Sequence, residues 1–470
     1  MNKTLYVDLD GTLVKTDTLL EALLTLIKSK PMKALALPLW LLKGKAGFKE
    51  HVSHNVQIQP QTLPYNGALI EYLREENESG TELVLATAAH RSVAEAVAKH
   101  TGLFAEVFST EGRTNLSGKA KLDAIRRRTR EFDYAGNANA DLPIWKEAHG
   151  AVVVGPRSIR DKASRLTNVV RWFAPEQVFF KLALRALRPH QWAKNVLVLL
   201  PAILAHEWQS SAKLWMGLWV FVSFSLVASS VYVINDLFDL ESDRAHPEKK
   251  RRPLASGDLS ITSGILLAAM ANVAGFSIAM LVSTKLFLAL MGYFVLTTMY
   301  SFKLKRVSIV DGFTLATLYS WRIVTGGVMT EVPITFWLIA FCMFFFLSLA
   351  FAKRATELLM MKHLNRESAA GRGYAVGDLD IVRLLGVGSG IASVIVLAMY
   401  MNHPGTQVLY KSPSYLLGAA IALFYWICRV WVKTDRREMN SDPIVFAIKD
   451  KVSYGILALI STFAILAMHF

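Results

Sequence analysis

At 470 residues, 53% hydrophobic and with a formal charge of +15, the chain is long enough for two domains and too apolar over its second half to be soluble throughout. The basic excess does not call for nucleic acid, because it falls mostly in short loops between apolar runs, where a membrane surface accounts for it. Cys342 and Cys428 both lie inside apolar runs, which excludes a disulfide framework and a cysteine-based metal site.

The chain opens on MNKTLYVDLDGT, which lacks the apolar core of a secretory signal, so the first domain is expected in the cytosol. LYVDLDGTL reads as a buried strand ending in two carboxylates and a Gly-Thr turn. It sets Asp8 and Asp10 at a strand's C-terminal end, where open α/β sheets gather ligands. Strand-like runs near 83–87, 134–136 and 151–154 alternate with helical patterns, as a parallel sheet requires. They bring LVLATAA with Thr87, GKAKLDAI with Lys119 and Lys121, and YAGNANADLPI with Asn137 and Asp141. In this order the four motifs resemble the haloacid dehalogenase superfamily of phosphatases over residues 1–156, a Rossmann-like α/β fold with a helical cap at about 15–80.

That resemblance implies Asp8 as a nucleophile forming an aspartyl-phosphate and Asp10 as the acid and base. It implies Thr87 and a lysine, Lys121 ahead of Lys119, on the phosphoryl group. Magnesium would be held by Asp8, Asp10 through its carbonyl, and Asp141. Asn137 departs from the pattern: the superfamily has an aspartate there, and an amide oxygen brings a magnesium site less charge. The alternative is a retained fold that docks or regulates.

Within the cap, PMKALALPLWLLKGK (Pro31 to Lys45) is apolar with lysine near both ends, suited to cap core or to a membrane surface, the latter favoured. EQVFFKLALRALR (Glu176 to Arg188) is basic and amphipathic, and 157–188 is expected to be a linker.

From 189 to 470 the pattern is an all-α polytopic membrane domain. With roughly 20 residues needed per span, about nine candidates follow, near 194–208, 214–235, 260–282, 285–302, 308–329, 333–352, 380–401, 413–432 and 452–470. The first is short, and the fifth carries Asp311 and Arg322. Lysine and arginine crowd alternate loops, Arg366 and Arg372 among them, which places the carboxyl terminus on the side opposite the first domain.

NDLFDLESD (Asn235 to Asp243) ends the second candidate span. Asn235, Asp239 and Asp243 are four apart and share a helix face, with Asp236 and Glu241 expected to point elsewhere. Oxygen ligands gathered at a membrane boundary call for a hard divalent ion such as magnesium, which commonly bridges carboxylates to phosphates. The following Lys249, Lys250, Arg251 and Arg252 supply fixed cations for a diphosphate. Further charged groups stand at other helix ends: Lys194 and Asn195 in RPHQWAKN; Tyr300, Lys305 and Asp311 in YSFKLKRVSIVD; Lys353, Arg354 and Glu357 in FAKRATEL.

NDLFDLESD resembles the NDxxDxxxD signature of the UbiA superfamily of intramembrane prenyltransferases. LRPHQWAKN, HPEKKRRPLASG, YSFKLKRVSIVD, FAKRATEL and SDPIVFAIKD resemble its decaprenyl-phosphate phosphoribosyltransferase branch, from about Leu187 onward. The single Asp311 stands where most members carry a second aspartate-rich motif. The resemblance implies transfer of 5-phosphoribosyl from phosphoribosyl diphosphate to a polyprenyl phosphate, with magnesium on Asn235, Asp236, Asp239 and Asp243. Asp239 and Asp243 would be central to catalysis, and Lys194 and Arg322 would meet the lipid phosphate. Arg322 has an alternative as one half of a structural ion pair. The expected partners are these two substrates and the bilayer, with a homo-oligomer left open. A prenyl diphosphate donor with an aromatic acceptor is the nearest alternative, and a transporter carrying an inert module is another.

Overall fold

The computed structural model describes residues 3–111, 115–175, 177–365, 372–439 and 443–469. Glu176, Arg366, Ser441 and Asp442, named above, lie outside these. The chain forms two compact units, one of Met1–Arg188 with Tyr232–Met270, the other of Pro189–Val231 with Ala271–Phe470.

The first unit is built on a six-stranded parallel sheet: β1 (Thr4–Val7), β2 (Glu82–His90), β3 (Glu106–Thr110), β4 (Asp133–Gly136), β5 (Gly150–Val154) and β6 (Asn168–Phe173), in the order β3-β2-β1-β4-β5-β6. Nearly every residue of β1, β4 and β5 is buried, as strands covered on both faces must be. The chain leaves β1 for β2 and returns on its other side at β4, so β1 and β4 flank the point where strand order reverses, and their C-terminal ends open a crevice.

Two expectations change here. The stretch 157–188 was expected as a linker, but it supplies helix Arg157–Ala163, edge strand β6 and helix Phe179–Leu187. NVVRWF is short and largely exposed, which is how a sheet edge escapes the hydrophobic pattern of a central strand. Within the expected cap, helix α1 (Thr18–Ser29), the short turns Pro31–Ala34 and Leu37–Leu41, and helix Gly44–Asn55 form a separate layer around Ala22, Phe48 and Val52. Helix Gly67–Glu78 instead buries Leu69 and Leu73 in the sheet core.

Among the described residues seven helices, not nine, are long and apolar enough to cross a membrane: Ser211–Phe238, Ile261–Val282, Thr284–Arg306, Phe336–His363, Val376–Tyr400, Pro413–Asp435 and Lys451–His469. The first expected span is a 3₁₀ stretch, Pro189–Leu199, followed by the short helix Leu200–Leu204. It lies against helix Val310–Met329 so closely that a Cβ at Gly326 would sit 1.9 Å from the Val198 carbonyl oxygen. Helix Val310–Met329 is the fifth expected span, and it is less apolar than the seven because Asp311, Thr314, Ser320, Arg322 and Thr325 interrupt it; all five are buried. It is a polar element enclosed by protein, which is where a bilayer tolerates charge.

Candidate functional site

Four groups of polar side chains stand out, two in the first unit and two in the second.

At the β1–β4 crevice, Asp8 follows β1 and Asp141 follows β4. Lys121 is buried and donates to Asp8 Oδ1 at 2.8 Å and to the Tyr134 hydroxyl at 2.9 Å. Tyr134 donates in turn to Asp141 Oδ1 at 2.9 Å, while Asp141 Oδ2 accepts the Asn137 and Ala138 N–H groups, each at 3.0 Å. Lys119 is exposed, so of the two lysines it is Lys121 that meets Asp8. Burial, with Asp8 nearby, raises the Asp141 carboxyl above its ordinary range. Thr87 is buried, and its hydroxyl accepts the Ala89 N–H at 3.0 Å.

The Asp8–Asp10 turn favours Gly11, whose φ is +73° and where a Cβ would lie 2.1 Å from Asn137 Nδ2, so a larger residue would be strained and would displace the Asn137 side chain. Asp10 Oδ1 accepts the Thr18 N–H at 2.8 Å, at the start of α1. Burial and then the neighbouring Asp17 push the Asp10 carboxyl up to about 7. The sequence reading passed over Lys49, from the cap, which donates to the Ala88 carbonyl at 2.6 Å and to Asn115 Oδ1 at 2.8 Å. Nothing in its local sequence marks it.

The second group is the aspartate row. The spanning helix ends at Phe238 and a short helix, Leu240–Arg244, follows, so the row is broken at Asp239 (φ −108°, ψ 15°), although Asp239 N still bonds Asn235 O at 2.9 Å and Asp243 N bonds Asp239 O at 2.8 Å. The side chains divide differently from the i, i+4 expectation. Asp236, expected to point away, is buried with Asp243, and Arg252 Nη1 joins the two at 3.0 and 2.6 Å. Arg188 closes on both Asp236 oxygens at 2.5 and 2.6 Å. Asp239 accepts from Lys28 of α1 at 2.8 Å. Lys249, Lys250 and Arg251 are exposed, so within the basic run only Arg252 turns onto the carboxylates. Among the described residues no three His, Cys, Asp or Glu side chains are grouped to hold a metal ion.

In the second unit, Asp311 is fully buried and accepts from the Tyr300 hydroxyl at 2.9 Å, from Arg354 and from Arg372 at 3.3 Å. Arg354 also binds Glu357, so Tyr300, Asp311, Arg354, Glu357 and Arg372 form one charge-balanced network. Lys305 and Lys353 are half-buried. Lys194 is buried in the Pro189–Leu199 stretch beside Asn195.

Arg322 differs. It is buried, yet among the described residues its partners are all neutral: Asn195 Oδ1 at 2.8 Å, the Tyr293 hydroxyl at 2.7 Å and the Leu318 carbonyl. The rings of Tyr293 and Tyr319 face its guanidinium at 4.8 and 5.6 Å. Among the described residues no acid pairs with it, which departs from the alternative of a structural ion pair. A cation buried without a countercharge is held only where its donors are satisfied, here by three neutral acceptors.

Residues 195–449 match the UbiA prenyltransferase family. The chain is 37% identical over 472 residues to the uncharacterized protein y4nM of Sinorhizobium fredii, covering 99% of this chain and 91% of that protein. It is 34% identical over 181 residues to decaprenyl-phosphate phosphoribosyltransferase of Mycobacterium tuberculosis, covering 37% of this chain and 59% of that enzyme's length. A UbiA homolog from Archaeoglobus fulgidus bound to GPP and Mg2+ aligns with a TM-score of 0.47 and 16% identity, over 62% of this chain and 100% of that one. With more than half of its length inside the family match and seven apolar helices of spanning length, the chain is a multi-pass membrane protein that belongs to the UbiA prenyltransferase family.

Proposed function

We propose that the family-matched part transfers 5-phosphoribosyl from phosphoribosyl diphosphate to a polyprenyl phosphate. The N-terminal α/β domain, of haloacid dehalogenase type, then removes the 5-phosphate from the lipid product. The observation that carries the first half is the carboxylate row with its arginines at the end of an apolar helix, inside the matched region. The similarity to decaprenyl-phosphate phosphoribosyltransferase supports the choice of donor and acceptor.

The amide and carboxylate oxygens of Asn235, Asp239 and Asp243 suit a hard cation, and the row already draws Lys28, Arg188 and Arg252 to balance its charge. Bound there, magnesium supplies Lewis-acid charge against the departing diphosphate. The ribose C1–O bond to diphosphate breaks, C1 gains oxocarbenium character, and an oxygen of the lipid phosphate forms the new bond to C1. That oxygen is already anionic, so no strong base is required; positioning and fixed charge carry the step. Arg322 and Lys194 are proposed to hold the lipid phosphate. Tyr300, Asp311 and Arg354, tied into their own network, are proposed to keep the neighbouring helices in place and to offer Lys305 and Lys353 to anions.

In the N-terminal domain Asp8 attacks phosphorus and displaces the ribose oxygen, which Asp10 protonates. Asp10 then takes the proton of the water that hydrolyses the aspartyl-phosphate. Lys121, 2.8 Å from Asp8, neutralises the phosphoryl oxygens. Asp8, Asp141, Asn137 and the Asp10 carbonyl would hold a second magnesium; Asp141 Oδ1 retains a lone pair beyond its bond to Tyr134.

The test is incubation of membranes holding the full chain with ribose-labelled donor and polyprenyl phosphate. Label should pass to lipid, chelator should stop it, and the Asp8→Asn variant should accumulate the phosphorylated lipid. Transfer from a labelled prenyl diphosphate to an aromatic acceptor, with none from the ribose donor, would reverse the assignment.

A further inference from the structure

The cap carries an apolar surface that no part of the described chain covers. In the eleven residues from 32 to 42, Met32 is 79% exposed, Leu35 74%, Leu39 65% and Leu42 83%. The opposite side of the same segment is already satisfied, with Leu37 and Trp40 packed on Phe48 and Val52. A second bare face stands on helix Phe179–Leu187, where Leu182, Ala183 and Ala186 are buried while Phe179 and Phe180 are 56% and 70% exposed. Large exposed apolar patches of this kind mark a binding surface.

What covers them is indicated by where they originate. Leu20 and Leu24 of α1 and Leu182 pack into one cluster with Leu237, on the last turn of the spanning helix Ser211–Phe238, and Ile261, the first residue of the next. Lys28, four residues before Met32, donates to the Phe238 carbonyl at 2.7 Å. Both bare faces therefore leave the protein at the level where two apolar helices meet the aqueous phase. Lys30, Lys33, Lys43 and Lys45 are exposed around the first face, and Lys181 and Arg185 stand on the second helix. Apolar side chains between basic ones suit a bilayer interface with anionic headgroups, where the rings and leucines enter the acyl boundary and the cations remain with phosphate.

We infer that these two faces insert into the surface of the bilayer, and that the Asp8 centre is thereby held at the lipid–water boundary to act on phosphate monoesters borne by lipid. The first half of this inference stands on exposure, charge and continuity with the spans; the second rests on the phosphatase reading above.

The full chain, with Cys342 and Cys428 replaced by serine, is reconstituted into vesicles containing phosphatidylglycerol and labelled singly at Leu35→Cys, Phe180→Cys or Lys99→Cys with a polarity-sensitive fluorophore. Lys99 is an exposed polar position on helix Arg91–Thr101. Spin-labelled lipid should quench the probes at 35 and 180 at least fivefold more than the probe at 99. Equal quenching at all three positions overturns the insertion, as does shielding at 35 that persists in detergent and gives cross-linked dimers, which would make the face a contact between copies. For the second half, Leu35→Glu with Leu39→Glu should lower release of phosphate from a long-chain lipid phosphate about tenfold and leave hydrolysis of p-nitrophenyl phosphate unchanged. An equal fall on both substrates overturns the lipid-specific role. Lipid quenching from a wild-type chain that hydrolyses neither substrate discards the phosphatase reading and leaves the insertion standing.

Discussion

Lys28 donates to Asp239 at 2.8 Å across 211 positions of sequence, and it does so from the last turn of the helix whose first turn binds Asp10. At 1.5 Å per residue, the ten steps from Thr18, which meets the proposed nucleophile's partner, to Lys28, which meets the proposed metal row, cover about 15 Å along one helix. The bond is partly exposed and worth no more than about 1 kcal/mol to stability. Its effect on ion binding is larger in proportion, because it places a positive charge on a ligand that a divalent cation must share. Lys28→Met should therefore leave thermal stability nearly unchanged and lower the magnesium concentration for half-maximal transfer about threefold to fivefold, read by titrating magnesium against labelled-lipid formation. An unchanged midpoint would mean that Asp239 does not ligate the ion.

Asp10 gives a pH-dependent stability with a defined sign. Its carboxyl titrates near 7 in the folded chain because burial and Asp17 disfavour its charge, and near 3.9 when unfolded. Between those values the folded state holds a proton that the unfolded state has lost, so stability is greatest below about pH 4 from this group and falls as pH rises toward 7. The ceiling is about 4 kcal/mol, discounted because Asp10 as a residue is only partly buried. In chelator, the melting temperature of the wild type should drop between pH 5 and 7 more steeply than that of Asp10→Asn. Parallel curves would show that Asp10 does not carry the effect.

What the residues revealed before the fold was known, and what they did not, follows from distance along the chain. Asp8 and Asp10 could be placed because a strand and its turn are local. The Asn235, Asp239 and Asp243 spacing was readable for the same reason, but the break at Asp239 and the different partners of Asp239 and Asp243 were not. The cations that meet these groups come from elsewhere: Lys28 from the cap, Arg188 from the end of helix Phe179–Leu187, and Arg372 from the loop after Phe336–His363. Sequence offers no periodicity for such pairs. The excess of expected spans has a different cause. Of the two extra candidates, 194–208 folds as a 3₁₀ stretch and a five-residue helix too short to span, and Val310–Met329 carries Asp311 and Arg322, which lower its apolar content below that of the seven.

Arg322 offers a sharp test of the lipid-phosphate assignment. Three of its donors are spent on three separate neutral acceptors, a geometry that lysine's single ammonium cannot reproduce. Arg322→Lys should raise the KM for polyprenyl phosphate about tenfold or more while the KM for the ribose donor stays within twofold. Equal rises in both would mean that the substitution disturbs the helix packing and not an acceptor site.

Asp311 and Arg354 should behave in the opposite way. Both are buried, and Arg354 reaches Asp311, Tyr300 and Glu357 at once. Removing one charge of a buried pair strands the other and costs about 3–5 kcal/mol, whereas removing both together can be close to neutral. Arg354→Met should therefore lower the melting temperature of the detergent-solubilised chain by several degrees, and Asp311→Asn added to it should recover part of that loss, because Glu357 still lacks Arg354. Arg372 limits the recovery, because it also donates to Asp311 and loses an ionic partner when the carboxylate is neutralised. If the double variant is no more stable than Arg354→Met alone, the pair is not coupled. Arg354 would then be held chiefly by Glu357, and Glu357→Gln should reproduce the single variant's loss.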